Sequence, residues 1–210
     1  MDVLIAGGHG QVARRLLRLL ARDGHTARGL IRNPDHAADL EADGAVPVLC
    51  DLERDDVRPH VGGADAIVFA AGAGPGSGPA RKQTVDLGAA VKCIEAAREL
   101  GVARYVMVSS MRTELADTPG PMQPYFQAKR AADEALRSSG LDWTIVRPGG
   151  LTDEPGTGLV DVAPADFGQI PRDDVAAVLY ACLQADNTIG VSFDLISGTD
   201  PIEAAVRSLA

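Results

Sequence analysis

Residues 3–17 of the chain read VLIAGGHGQVARRLL, in which a short apolar run meets a glycine cluster and then becomes amphipathic. The apolar run is too short for a helix, whereas the apolar residues from Val12 onward recur at helical spacing. The stretch therefore predicts a strand, a tight glycine turn and a helix. This arrangement brings backbone N–H groups and the positive end of a helix to a pyrophosphate, which favours a dinucleotide site over a plain structural turn.

The residues of this turn have separate predicted roles. Gly7 is expected to adopt a positive φ, and Gly10 leaves room for phosphates because it has no Cβ. Ala13 takes the third position of the fingerprint, where the helix packs on the strand. The predicted phosphate-binding segment comprises Gly7, Gly8, His9, Gly10, Gln11 and Val12.

Length and charge narrow the possible functions. A chain of 210 residues suits one large core, and a formal charge of −9 argues against nucleic acid, which needs a basic face. No apolar segment is long enough to cross a bilayer, and the first apolar run does not resemble a signal peptide. Cys50, Cys93 and Cys182 lack metal-site or disulfide spacing and are expected to be buried thiols in a reducing cytosol. The sequence predicts a cytoplasmic protein without a membrane or nucleic-acid partner.

Helix, glycine and strand follow one another repeatedly along the chain. The glycines suit the left-handed residue that closes a helix, and the strands are mostly apolar, as in a parallel sheet covered on both faces. This alternation predicts a doubly wound α/β fold in one domain, residues 1–210. The strands after the first are expected at 26–31, 45–49, 65–70, 104–108, 142–146 and 191–196, and the long helices at 81–100 and 123–138.

Three irregular segments, 72–79, 112–124 and 149–169, follow the carboxyl ends of predicted strands. That edge is where open α/β sheets bind their ligands. We therefore expect these segments to form the substrate side of the same domain.

The end of the second predicted strand bears on the choice of cofactor. Enzymes that select NAD usually carry Asp or Glu there, whereas this chain has Arg32 where a 2′-phosphate would lie. NADP(H) is therefore the predicted cofactor and NAD(H) the less favoured one, with a solvated loop arginine as the alternative interpretation. At the end of the third strand, Asp51 is expected to accept the adenine amino group and Leu52 to pack on the ring.

A second group of candidate residues lies on the helix predicted over 123–138. Tyr125 and Lys129 are four residues apart and therefore share one face of that helix. An ammonium beside a phenol favours the phenolate, so Tyr125 could exchange a proton as a carbonyl and an alcohol interconvert. Ser109 and Ser110 end the preceding strand. We assign Ser110 as the hydrogen-bond donor to substrate, although a purely structural role for either serine is an equal alternative.

Several stretches, in this order, resemble the short-chain dehydrogenase/reductase superfamily, in particular its atypical, extended-like branch. Within that branch the chain is similar to small NAD(P)H-binding proteins grouped with NmrA-like sensors, with biliverdin and flavin reductases, and with sugar-nucleotide epimerases. The stretches that carry the resemblance are 6–12, 50–52, 69–72, 85–88, 108–110, 125–129, 143–150 and 172–176.

This resemblance implies a Rossmann-type parallel sheet with NADP(H) along its carboxyl edge and a small C-terminal extension on the substrate side. It implies that Lys129 holds the nicotinamide ribose and that the Pro148-Gly149 backbone meets the nicotinamide. Two departures matter. Asp86 stands where many relatives have an asparagine that supports the tyrosine and lysine through water, and the segment after Pro148 is short for an epimerase substrate domain. The resemblance also adds Ala70, Ala71 and Gly72 to the cofactor-binding set.

The predicted function is that of an NADP(H)-dependent oxidoreductase acting on a small carbonyl, alcohol or quinone-like substrate. Two alternatives stay open: a non-catalytic NADP(H)-binding sensor or scaffold of the NmrA-like type, and an epimerase or dehydratase. Many relatives pair through the two long helices, but here those helices carry exposed charge, so a monomer and a homodimer are both consistent with the sequence.

Overall fold

The computed structural model describes residues 1–74 and 76–209. Pro75, in the predicted irregular segment 72–79, and Ala210, the end of the predicted domain, lie outside the described residues. In the described part the strands are β1 (Asp2–Ala6), β2 (Thr26–Ile31), β3 (Val46–Leu49), β4 (Ala66–Phe69), β5 (Arg104–Val108), β6 (Asp142–Pro148), β7 (Gly150–Thr152), β8 (Leu159–Asp161), β9 (Gln169–Pro171), β10 (Val191–Ser197) and β11 (Asp200–Pro201).

Parallel strands form the body of the main sheet, in the order β3-β2-β1-β4-β5-β6-β10. At one edge, β8 pairs antiparallel with both β10 and β11, while β7 and β9 form a separate two-stranded sheet. The strand order reverses beside β1, which is the switch point where doubly wound sheets open a crevice. The predicted Rossmann-type fold with a small C-terminal extension is confirmed.

Helices cover both faces of the sheet. Alternate side chains of β1 point to opposite faces, so Val3 and Ile5 enter one core cluster while Leu4 and Ala6 enter the other. The helices are α1 (Gln11–Arg22), α2 (Ala37–Ala42), α3 (Arg58–Val61), α4 (Pro79–Arg81), α5 (Ala90–Leu100), α6 (Gln123–Arg137), α7 (Arg172–Leu183) and α8 (Ile202–Arg207). Residues of α1, α7 and α8 belong to the first cluster, and residues of α3, α5 and α6 belong to the second.

Three details differ from the sequence-based expectations. The helix expected over 81–100 begins at Pro79, and its segment Lys82–Ala89 is a π-helix that joins α4 to α5. The segments expected to be irregular contain the short strands β7 and β8 and a 3₁₀ turn at Thr113–Asp117. Strand β3 is covered less than expected because it lies at the sheet edge, where Val46 is 51% and Leu49 59% exposed.

The glycine turn packs against β2 through a contact between two glycines. A Cβ on Gly8 would lie 2.7 Å from the Cα of Gly29, a distance that real Cβ atoms do not tolerate from backbone. Ala13, the residue expected to provide close helix–strand packing, is fully buried, but the close contact with β2 is made by Gly8. The backbone therefore approaches β2 most closely five residues earlier in the chain than expected.

We expect Gly8→Ala to destabilise the fold, because the added methyl group must push the turn away from β2. Overpacking of this kind typically costs about 1–3 kcal/mol, and each kcal/mol lowers Tm by roughly 2–4 °C in a chain of this size. Thermal melts of Gly8→Ala and Gly62→Ala test this, because a Cβ on Gly62 meets nothing within 4 Å. Equal melting temperatures for the two variants would contradict the packing role.

Candidate cofactor and active site

Two adjoining cavities run along the carboxyl edge of the sheet. The smaller, of about 260 Å³, lies over β1, β2 and β3, and the larger, of about 660 Å³, lies beside β4, β5 and α6. Both are lined by Ala70, Ala71 and Gly72, which follow β4. The two cavities therefore form one groove that crosses the switch point of the sheet.

The glycine turn forms one wall of the smaller cavity. Gly7 has a φ of 82°, as expected, and a Cβ there would lie 2.7 Å from the Cα of Ala71. Gly10 precedes the first turn of α1, is exposed, and donates its amide to the Gly7 carbonyl at 2.8 Å. The start of α1 thus presents bare backbone N–H groups to the groove, and this cradle fits a dinucleotide pyrophosphate.

Three of the predicted phosphate-binding residues, Gly8, Gln11 and Val12, line neither cavity. Gly8 lies beneath the turn, Val12 is 8% exposed and packs in the core, and Gln11 begins α1 on the exposed side. Their expected contribution is limited to backbone N–H groups at the helix start.

The His9 side chain lies at the turn in a network that the sequence did not indicate. Its ring stacks on His36 with centroids 3.5 Å apart, and its Nε2 lies 2.7 Å from Asp39 Oδ2. Asp39 is also 3.3 Å from Arg14, and the hydrogen bond from His9, followed by the charge of Arg14, lowers the pKa of Asp39. Both imidazoles line the smaller cavity, although the sequence predicts only His9 there.

Arg32 follows β2 and lines the smaller cavity, with its side chain 57% exposed. Its Nη1 is 3.6 Å from Oε2 of Glu53, which also accepts a hydrogen bond from Arg81 at 2.9 Å. The Thr84 hydroxyl, followed by the Arg81 and Arg32 guanidiniums, lowers the pKa of Glu53 against the opposing effect of burial. The predicted 2′-phosphate residue is therefore already near an anion, and Arg81 is a second guanidinium beside it.

The end of β3 supplies the floor of the smaller cavity. Asp51 and Leu52 both line it, as does the buried Cys50, whose pKa is raised by burial. Asp51 Oδ1 accepts the Glu53 amide at 3.0 Å, while the Asp51 amide donates to Asp55 at 2.7 Å. The Asp51 carboxylate is thus fixed by its own loop next to the space predicted for adenine.

Lys129 is buried in the wall of the larger cavity and contacts Asp86 directly. Its Nζ is 3.4 Å from Asp86 Oδ1 and donates to the Val108 carbonyl at 3.2 Å. Asp86, 1% exposed, also accepts the Ala73 amide at 3.2 Å. Where the resemblance implies an asparagine acting through water, this chain has an ion pair that fixes the ammonium.

Two ammonium groups lie near the ring of Tyr125, which is half-buried in the cavity wall. Lys129 Nζ is 5.9 Å from the ring centroid and Lys82 Nζ is 5.1 Å from it. Lys82 donates to the Gly74 carbonyl at 3.0 Å and lies 4.0 Å from Asp86 Oδ2. The structure therefore brings Tyr125 and Lys129 together and adds Lys82. The i,i+4 spacing of Lys82 and Asp86 at the ligand edge is the signal that could have found it.

Both candidate serines line the larger cavity, together with Pro148 and Gly149. Ser110 Oγ donates to the Met111 carbonyl at 3.0 Å. Ser109 is 3% exposed, and its buried hydroxyl lies beside Asp133, whose pKa is raised by burial and partly lowered again by that hydroxyl. Ser110 is half-buried, so it is the better placed of the two to meet a ligand in the cavity.

The larger cavity also contains lining residues that the sequence reasoning missed. Arg172, at the start of α7, donates to Asp153 at 2.9 Å and lines the cavity. Met122 and Leu151 come from the segments 112–124 and 149–169, which the sequence assigns to the substrate side. Nothing in the local pattern around these residues indicates that they meet, because three separate segments of the chain, before α6, in β7 and at the start of α7, bring them together.

Within residues 1–74 and 76–209, no group of three or more His, Cys, Asp or Glu side chains is arranged to hold a metal ion. All three cysteines are buried and free. Over the same residues, no helix is both long enough and apolar enough to span a membrane.

Comparison with known proteins gives consistent matches over the whole chain. A family model described as NAD(P)H-binding matches residues 7–186. YhfK of Bacillus subtilis, named an uncharacterised sugar epimerase, is 41% identical over 214 residues that cover 100% of both chains. A Bacillus halodurans structure, named as a candidate NAD-dependent epimerase/dehydratase, has a TM-score of 0.95 and 39% identity, with 100% of both chains covered. The anaerobillin reductase ChuY of Escherichia coli O157:H7 has a TM-score of 0.75 and 25% identity over 94% of this chain and 97% of that protein.

Proposed function

Because the chain belongs to the family of NAD(P)H-binding proteins, we propose that it is an NADP(H)-dependent oxidoreductase acting on a small carbonyl, alcohol or quinone-like substrate. The observation that carries this proposal is the placement of Tyr125 and Lys129 together in the wall of the larger cavity. That cavity continues into the one beside the glycine turn. The proposed proton-transfer group and the proposed dinucleotide cradle thus share one groove.

The proposed assignment of cofactor residues follows the groove. The turn Gly7–Gly10 and the start of α1 would hold the pyrophosphate, and Arg32, Asp51 and Leu52 the adenosine half. Ala70, Ala71, Gly72, Lys129 and the Pro148-Gly149 backbone would hold the nicotinamide half. When bound, NADP(H) supplies or accepts a hydride. The segments 72–79, 112–124 and 149–169 would form the substrate side, which is supported by the lining residues Ser77, Met122 and Leu151.

The catalytic roles proposed for this chain are confined to proton transfer and orientation. Tyr125 would give a proton to the substrate oxygen when a carbonyl is reduced and take one when an alcohol is oxidised. The Lys129 ammonium, held by Asp86 and the Val108 carbonyl, would bind the nicotinamide ribose and place a positive charge beside the Tyr125 ring. Ser110, which is half-buried in the cavity wall, would donate a hydrogen bond to the same oxygen.

A second candidate function is epimerase or dehydratase chemistry, which the names of the Bacillus relatives favour. The two functions differ in what happens to the cofactor, because an oxidoreductase consumes NADPH while an epimerase returns it to its starting state. The test is a screen of carbonyls and quinones with NADPH, and of nucleotide sugars with NADP⁺, that follows cofactor absorbance and product chirality together. Sustained loss of NADPH supports the oxidoreductase, and product formation without that loss supports the epimerase. Binding without any turnover supports a sensor.

We expect Arg32→Ala to lower the ratio of NADPH to NADH affinity by about one to two decades. A charge-assisted contact to the 2′-phosphate is worth roughly 1.5–3 kcal/mol, and NADH has no such phosphate. Calorimetry with both cofactors measures the ratio, with Arg98→Ala as control because Arg98 is exposed on α5 and lines neither cavity. An unchanged ratio in Arg32→Ala would remove Arg32 from the cofactor site.

A further inference from the structure

The larger cavity is positively charged in a chain whose formal charge is −9. Among the described residues it is lined by three cations, Lys82, Lys129 and Arg172, and by one carboxylate, Asp86. The chain has only three lysines, and two of them are here. A cavity with this excess of cations attracts anions.

The three cations are not equally neutralised. Lys129 is 3.4 Å from Asp86, and Arg172 donates to Asp153 at 2.9 Å. Lys82 is 4.0 Å from the shared Asp86, and its one hydrogen bond among the described residues is to the Gly74 carbonyl. Its side chain is nevertheless only 16% exposed. Lys82 is thus a mostly buried ammonium whose nearest carboxylate is closer to another lysine.

The Lys82 ammonium lies close to Tyr125, the residue proposed to transfer the proton. Its Nζ lies 5.1 Å from the centroid of the Tyr125 ring, so an anion bound to Lys82 would be a near neighbour of the proton-transfer group. Met122, Leu151 and the prolines at 121 and 124 give the same cavity an apolar wall. The cavity therefore offers one incompletely neutralised ammonium and one hydrocarbon surface beside Tyr125.

Building on the proposed function, we infer that Lys82 binds a carboxylate of the substrate, and that the substrate class is carbonyl compounds carrying a carboxylate near an apolar body. A singly charged carboxylate matches one incompletely neutralised ammonium. A phosphate, with more charge and more acceptor oxygens, is normally held by several donors. Lys82 is thereby a specificity-determining residue, and Tyr125 and Lys129 keep their proposed roles.

The test compares two ligands of almost the same shape that differ in charge, 4-carboxybenzyl alcohol and 4-(hydroxymethyl)benzamide. Both are titrated by calorimetry into the NADPH-saturated protein, where ligand and cofactor are both reduced and no turnover occurs. We expect the acid to bind about ten- to a hundredfold more tightly than the amide, as for other hydrogen bonds to charged groups. In Lys82→Met this ratio should fall close to one, and in Lys82→Arg it should be largely retained.

Lys92→Met is the matched control, because it removes the same charge from the same helical run while Lys92 binds the Leu52 and Asp55 carbonyls outside the larger cavity. NADPH titration and a thermal melt of each variant check that it remains folded. Equal binding of acid and amide to the unmodified protein, binding of neither, or an unchanged ratio in Lys82→Met would overturn the inference.

The proposed function is tested separately, by measuring kcat/KM for NADPH-dependent reduction of 4-carboxybenzaldehyde and 4-formylbenzamide. Acid-selective binding without turnover would leave the Lys82 site standing and refute the oxidoreductase.

Discussion

Replacing Tyr125 by phenylalanine is expected to lower kcat for NADPH-dependent carbonyl reduction by roughly 10²–10⁴ and to leave NADPH affinity nearly unchanged. The substitution removes only the hydroxyl that would exchange the proton. The ring stays in place beside Lys82 and Lys129, so the cavity wall keeps its shape and its charge. Steady-state kinetics with the best substrate of the screen, together with a cofactor titration, separates the two effects.

Tyr180→Phe provides the matched control for this substitution. Tyr180 lies on α7, donates its hydroxyl to Asp23 at 2.7 Å and lines neither cavity of the groove. Loss of that hydroxyl should leave kcat within experimental scatter. A reduction of less than threefold in Tyr125→Phe would show that the substrate obtains its proton elsewhere, from solvent or from another donor.

The second large effect is expected at the glycine turn, where Gly10→Val should reduce affinity for NADPH and NADH alike by at least about a hundredfold. The Cβ of the new residue would lie 3.0 Å from the Gly7 carbonyl oxygen, and its methyl groups would occupy the space in front of α1. A pyrophosphate could then no longer reach the backbone N–H groups at the helix start. The lost contacts are several charge-assisted hydrogen bonds, each worth roughly 1.5–3 kcal/mol.

This prediction requires a folded variant, so the cofactor titration is run beside a thermal melt. Gly62→Val controls for the insertion of valine at a glycine turn, because a Cβ on Gly62 meets nothing within 4 Å and that glycine lies outside the groove. Undiminished binding by a folded Gly10→Val protein would mean that the turn is a structural element only.

Features encoded within a few neighbouring residues could be predicted from the sequence. The positive φ of Gly7 and the helix beginning at Gln11 follow from local preferences, and the closing glycine of α5, Gly101, has the expected left-handed φ of 73°. The i,i+4 spacing of Tyr125 and Lys129 was also readable, because a helix brings such residues to one face.

Features that depend on the order of the strands and on the packing of helices could not be predicted. The pairing of Lys129 with Asp86 joins α6 to the π-helical segment, two elements far apart in the chain. The exposure of Val46 and Leu49 follows from the edge position of β3, since the same apolar sequence in a central strand would be covered. The spacing of Lys82 and Asp86 is readable in the sequence, but their position beside Tyr125 depends on how α6 packs against the π-helical segment, which no local pattern reveals.

Because Lys82–Ala89 is a π-helix, the number of residues in this segment, as well as their identity, determines which side chains face the groove. A π-turn accommodates more residues than an α-turn, so loss of a single residue would let this segment become an ordinary α-helix. Side chains before and after that point would then rotate relative to one another by about 100°, the angle per residue of an α-helix. A point substitution alters one contact, whereas such a deletion would turn Lys82 away from Asp86 or from Tyr125. We therefore expect that deletion of one residue from this segment would change which substrate is bound, even in a protein that keeps the same sheet and the same Tyr125–Lys129 pair.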